Sequence, residues 1–163
     1  MKIYYMVFAI GLCCLSFVVQ SQSVVKNEAE KINETILELF DAYRAGDSAR
    51  VAKVFTKKAN LQTLQRNEDG KVVLSETMPV TKLVNYVGGG LAEVHDERLW
   101  DTQLFYDDVM ATVWTKYAFY LGKKFLHCGT ETFLLRKLNG EWKIFYLVDT
   151  RQTENCIIPS NIK

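Results

Sequence analysis

The sequence predicts an α+β domain in which three N-terminal helices pack on the concave face of a curved, mostly antiparallel sheet. Three observations predict it. Apolar residues recur at helical spacing from Ile32 to Tyr43, glycines at 46 and 88–90 punctuate the helical part, and from residue 94 the chain turns to Val, Thr, Phe, Tyr and Trp divided by short turns.

Ile32, Ile36, Leu39, Phe40 and Tyr43 fall on one face of the first helix. Gly46 can take the left-handed conformation that ends it, and Asp47 or Ser48 can cap the next helix through a side-chain oxygen. The stretch "LFDAYRAGDSARVAKVF" therefore reads as two helices meeting at a corner, with Val51, Val54 and Phe55 turned onto the same core. Residues 59–66 and 71–76 flank the turn signal Asp69-Gly70 and predict a short hairpin. A third helix fits between Pro79 or Thr81 and Val87, with Leu83, Val84 and Val87 inward. The turns Asp107-Asp108, Gly122-Lys123 and Asn139-Gly140 then divide the remainder into a four-stranded antiparallel meander.

With 163 residues, of which 48% are hydrophobic, the chain can bury one sizeable core, and residues 24–163 are expected to form a single domain. Twenty basic and nineteen acidic side chains give a net charge of +1 without a basic stripe, so no nucleic-acid partner is expected. Residues 1–23 read differently: Lys2, an uncharged apolar run from Ile3 to Val19, then Gln20-Ser21-Gln22-Ser23. That pattern predicts a secretory signal peptide and an exported protein, periplasmic or secreted, with no stable membrane span after cleavage. Leu12 before Cys13 does not suit a lipid-modified cysteine.

Export would leave Cys128 and Cys156 in an oxidising compartment, where a disulfide is possible; two unrelated thiols are the alternative. Closing that loop would stabilise the fold by roughly 3–4 kcal/mol on the chain-entropy model. Two cysteines without a nearby histidine pair make no zinc site, and no metal is expected.

If all three turns are two-residue loops, Leu104, Ala111, Leu134 and Phe145 form one row across the sheet, and Thr102, Val113, Thr132 and Leu147 the next. The same face continues with Trp100, Thr115, Thr130 and Asp149, then with Arg98, Tyr117, Cys128 and Arg151. A face that is apolar at one end and polar at the other has the character of a small-molecule site. Arg98, Trp100, Thr115, Tyr117, Thr130, Asp149 and Arg151 are its expected ligand-binding residues, the two arginines as partners for an anion. Asp149 is the candidate general base; an ordinary ion pair closing the core is the structural alternative.

The opposite face is then expected to carry His95, Glu97, Asp101 and Gln103 with Trp114, Phe105, Met110, Phe133, Leu135, Ile144 and Tyr146. So large an apolar patch predicts a homodimer packed sheet to sheet, with cover by the chain termini as the alternative. His127 falls on this outer face and reads as structural or interfacial. Asn33-Glu34-Thr35 matches a glycosylation acceptor, a pattern common by chance.

The order of a helix, "AYRAGD", "ARVAKVF", "ANL" and the closing hairpin "LLRKLNGEWKIFYLVDTR" resembles the nuclear transport factor two-like superfamily, from about residue 30 to 152. The runs "FYLGKKFLHCG", "GEWKI" and "DTR" are similar to bacterial members of polyketide-cyclase-like or lumazine-binding type. The resemblance implies a cone-shaped cystatin-like fold, a pocket between sheet and helices, and frequent dimers. In ketosteroid-isomerase-like members the catalytic carboxylate and the oxyanion-donating tyrosine fall, by ungapped matching, on Thr63 and Leu39, so this chain departs from that pattern. Scytalone-dehydratase-like members use paired inward histidines, which the expected positions of His95 and His127 do not supply.

The expected function is an exported binding protein for a small, partly apolar molecule, anionic on the evidence of its arginines, with no cofactor. A cofactor-free lyase, isomerase or hydrolase using Asp149, and a dimeric protein-association module, are the alternatives.

Overall fold

The computed structural model describes residues 27–162. The expected signal peptide, with Cys13 and Cys14, lies outside the described residues. Helix α1 (Glu28–Arg44) opens on a capping box, in which the Asn27 side chain accepts from the Glu30 amide at 2.9 Å and the Glu30 carboxylate accepts from the Asn27 amide at 3.0 Å. Ile32, Ile36, Leu39 and Phe40 are buried along its inner face. Gly46, at φ +67°, makes the corner, and Asp47 caps α2 (Ser48–Val54) by accepting from the amides of Ala49 and Arg50. The corner is as expected, except that Phe55 pairs with Ile144 and so belongs to the first strand.

Strand β1 (Phe55–Arg66) turns through Gly70 into the short β2 (Val72–Leu74), and β3 (Met78–Pro79) returns beside it before α3 (Val80–Gly88). The meander follows as β4 (His95–Tyr106), β5 (Met110–Leu121), β6 (Lys124–Leu138) and β7 (Glu141–Arg151). The sheet order is β2-β1-β7-β6-β5-β4; β1 joins β7 in parallel, and every other pairing is antiparallel. Three helices and a curved sheet thus enclose one core, centred on Phe40, Val51, Val113, Phe133, Leu135 and Ile144, with the Phe40 and Phe133 rings edge to face at 6.0 Å.

Three extra residues correct the expected register. Asp101, at φ +53°, and Thr102 oppose the single residue Thr115, so Glu97 and Leu99 turn inward while Arg98 and Trp100 turn out. In β6 the pairs Tyr120–Phe125 and Phe119–His127 leave Leu126 unpaired, which turns His127, Gly129, Glu131, Phe133 and Leu135 inward and Thr130 outward. In β7 the pairs Leu135–Ile144 and Leu134–Tyr146 leave Phe145 unpaired, which returns Leu147 and Asp149 to the expected face. The β4–β5 loop also runs from Asp107 to Val109, with the Asp107 carboxylate accepting from the Val109 and Met110 amides; this slides the register by two and preserves the faces. Phe133, Leu135 and Ile144 are therefore core, and of the expected outer apolar patch only Phe105 and Met110 are exposed, beside the partly covered Trp114 and Tyr146.

Gly129 is required by close approach: a Cβ there would lie 1.8 Å from the Thr150 carbonyl oxygen. Cys128 and Cys156 form a disulfide that ties the tail to β6, and Arg98, packed over the Tyr120 ring, donates to the Ile162 carbonyl at 2.8 Å. Among the described residues no helix is long and apolar enough to cross a membrane.

Cys156→Ser should lower the unfolding free energy by about 3–4 kcal/mol, the value expected for opening a loop of this length. Reductant should bring the parent protein down to the same level in a urea titration. Equal stability of the oxidised and reduced parent would remove the disulfide from the energetics.

Candidate functional site

Between α1, α3, β1 and the sheet lies a cavity of about 610 Å³. Leu39, Phe40 and Tyr43 from α1, Leu83 and Tyr86 from α3, and Leu61 and Leu147 from the sheet give it apolar and aromatic walls. At its polar end stand Glu97 from β4, Glu131 from β6, and Asp149 and Arg151 from β7. Size, greasy walls and a few converging polar groups are the features of a small-molecule site.

Asp149, 5% exposed, is held from three directions. Thr63 Oγ1 donates to its Oδ1 at 2.6 Å, while Tyr117 Oη and Arg151 Nε donate to its Oδ2 at 2.9 and 2.7 Å. Tyr117 has one proton to give and the ionised carboxylate is its strongest acceptor; His127 Nδ1, 3.2 Å from the same hydroxyl, then completes the chain as a donor. Burial pushes the His127 pKa down to about 4, so the ring is neutral, and burial beside Asp149 pushes the Tyr117 hydroxyl well above the ordinary tyrosine value. With three of its lone-pair positions filled, Asp149 is an anchor for its neighbours more than a free base.

Glu97 and Glu131 are the less comfortable pair. Their carboxyls are hydrogen-bonding neighbours: burial, the Glu97 carboxyl and Asp149 push the Glu131 proton affinity well above the ordinary carboxylate range, while burial and Asp149 raise that of Glu97 against the lowering effect of its hydrogen bond with Glu131. Glu131 is 3% exposed, and its Oε2 has no hydrogen-bond partner among the described residues. Two like charges so placed cannot both ionise cheaply, so the pair holds one proton between them. That makes it a proton donor and acceptor facing the cavity.

His95 packs under the aromatic wall, its Nδ1–H donating to the Glu93 carbonyl at 3.0 Å and its Nε2 accepting from the Tyr86 hydroxyl at 2.8 Å. Its ring lies 5.1 Å from that of Tyr43, whose hydroxyl is also pushed above the ordinary tyrosine value by burial. Both histidines expected on the outer face are thus turned inward.

Of the residues expected to bind ligand, the structure brings only Asp149 and Arg151 to the cavity surface. Tyr117 and Thr115 face the same way but lie fully buried behind it, Thr115 Oγ1 being bonded to Thr102 Oγ1 at 2.8 Å and the Trp100 carbonyl at 3.1 Å. Arg98, Trp100 and Thr130 are outside it: Arg98 pairs with Asp96, and Trp100 and Thr130 line a separate outer groove beside Cys128. Glu97, Glu131, Tyr43 and Thr63 were not among the expected site residues, since the bulges that place the two glutamates have no turn-like signature. Thr63 directly opposes Asp149 on the neighbouring strand.

No family model matches the chain, and no curated protein matches it. Solved structures do. A protein of unknown function from Mycobacterium tuberculosis is 19% identical over 82% of this chain and 83% of its own, with a TM-score of 0.61. A cystatin-like-fold protein of unknown function from Nostoc punctiforme is 12% identical over 80% of this chain and 95% of its own, with a TM-score of 0.60. An NTF2-like protein from Cytophaga hutchinsonii is 12% identical over 78% of this chain and all of its own, with a TM-score of 0.61. The fold is therefore the cystatin-like, nuclear transport factor two-like one that the sequence resembles.

A raised folded-state proton affinity means that the native chain keeps a proton which the unfolded chain releases above the ordinary glutamate value of 4.5. The stability this contributes is complete below that value and is lost as pH rises. Glu131→Gln should therefore gain in stability on the parent as pH rises above the ordinary glutamate value of 4.5. The difference between the two chains cancels the opposite contribution of His127. Melting curves offset by the same amount at every pH would remove Glu131 from the titration.

Proposed function

We propose that this chain is an exported single-domain protein that binds a small, partly apolar molecule in the cavity between α1, α3 and the sheet, and that it pairs with a second copy through the outer face. The observation that carries the binding reading is the carboxyl pair Glu97–Glu131 at the end of an otherwise apolar cavity, with a buried oxygen of Glu131 lacking a partner among the described residues. Buried polar groups are normally satisfied, and a ligand is one way of doing so. Export is supported by the Cys128–Cys156 disulfide, a bond that persists in oxidising compartments.

A second reading, a cofactor-free lyase, isomerase or hydrolase, is favoured by the same pair. A carboxyl whose proton affinity is raised toward neutrality works as a general acid or base. In that reading Glu97 and Glu131 exchange the proton, Asp149 orients the Tyr117 and Arg151 side chains, and the role first expected of Asp149 passes to the pair.

Leu83→Trp on α3 should fill much of the cavity from its helical wall. In a thermal-shift screen of small aromatic and alicyclic compounds, hits on the parent should lose their shift in this variant; hits that keep it would place binding elsewhere and overturn the proposal. On the second reading, Glu131→Gln should abolish any turnover of a bound compound while the circular dichroism spectrum is unchanged. Native mass spectrometry of the exported product should show a dimer of chains that begin after Ser23. A monomer would overturn the pairing, and an intact leader the export.

A further inference from the structure

We propose that the cavity selects an organic cation, a protonated primary or secondary amine on an apolar or aromatic body, whose ammonium group sits among Glu97, Glu131 and Asp149. The inference rests on the reading of the cavity as a binding site and adds the charge of its occupant.

The charges facing the cavity can be counted by element. Glu97 comes from β4, Glu131 from β6, and Asp149 and Arg151 from β7; Lys82 of α3 and Glu76 of the preceding segment are exposed at the rim and offset one another. Tyr86 of α3 lines it as well, and Tyr43 of α1 and Tyr117 of β5, both with hydroxyls held above the ordinary tyrosine value, and His127 of β6, pushed down to about 4, add no charge. Arg151 is already bonded to Asp149 at 2.7 Å and reaches half into solvent, while Arg98 lies outside with Asp96. The two arginines that suggested an anion are thus removed or spent. What remains is a carboxyl pair with one proton, on which Arg151 acts across the cavity while its guanidinium is bonded to Asp149.

The unpartnered Oε2 of Glu131 needs a hydrogen directed at it. A proton shared with Glu97 supplies one in the free protein. An ammonium supplies up to three and also neutralises the second charge, so its binding displaces the proton. A neutral hydroxyl could donate one hydrogen bond but would leave the carboxyls repelling, and a carboxylate would add a further like charge. Tyr43 and Tyr86 line the same cavity, and aromatic rings favour a neighbouring cation over an anion. Among the described residues no three acidic, histidine or cysteine side chains are arranged to hold a metal ion, which favours an organic cation over a metal.

Three probes of one shape test this on the full exported chain: phenethylamine, phenethyl alcohol and phenylacetate, titrated calorimetrically. The amine should bind at least about tenfold more tightly than the alcohol, and phenylacetate most weakly, because desolvated charge complementarity of this kind is worth about a factor of ten or more. Amine affinity should rise with pH above the ordinary glutamate value of 4.5 as the pair gives up its proton, and the alcohol's should not. Glu131→Gln and Glu97→Gln should each bring the amine to the alcohol's level and flatten its pH profile, with unchanged circular dichroism. If the alcohol or the acid binds as tightly as the amine and Leu83→Trp abolishes that binding, the cavity reading stands and the cation inference falls. Amine binding that survives Leu83→Trp overturns both, and so does a failure of all three probes to bind.

Discussion

The arrangement of this molecule depends on where the sheet fails to alternate. Side chains along a strand change face at every residue, so one extra residue in one strand reverses everything beyond it. Leu126 is that residue in β6. Because it is inserted, Phe133 and Leu135 reach the core and meet Phe40 and the helices, and Glu131 is carried inward with them. The apolar gain of the strand and the burial of its carboxyl are one event.

That event has a cost which the surroundings manage by sharing protons. Asp149 is stabilised by donors from β1, β5 and its own strand, so its charge is well solvated by protein groups although it is buried. Among the described residues Glu131 and Glu97 have no comparable set of donors, and a shared proton relieves their repulsion. The cavity thus contains one carboxylate fixed in place and one pair that is not, a division of labour set by which neighbouring strands supply hydroxyls and which do not. Stability elsewhere carries the burden: the core around Val51, Val113 and Ile144, the Asn27 and Asp47 caps, and the disulfide.

Much of this is legible in the chain itself. The helix spacing from Ile32, the corner at Gly46-Asp47 and the glycines after α3 follow from local chemistry and appear where expected. The faces of Asp149 and Arg151 also agree, for a less secure reason: Leu126 and Phe145 each add one residue, and by β7 the two reversals cancel. Between them, on β6, only one has acted, which is why Glu131 was hidden. Asp101 removed Arg98 and Trp100 in the same way. One cue was present: the assumed parity put Phe133, Leu135 and Ile144 in water, an apolar surface that a bulge abolishes more simply than a partner does. What no local rule announces is the pairing of β1 with β7, a contact between distant parts of the chain that brings Thr63 to Asp149.

Gly129 carries a consequence for the history of the chain. The Thr150 carbonyl occupies the space where its side chain would be, and the same oxygen lies 3.0 Å from the Tyr117 hydroxyl. No other amino acid is admissible there unless β7 moves, and moving β7 displaces the acid that Tyr117 holds. Descendants of this gene can therefore drift widely over the helices and the rim, but a kinsman that has replaced this glycine should also have abandoned the tyrosine and aspartate, so the three positions would be inherited or discarded as a set.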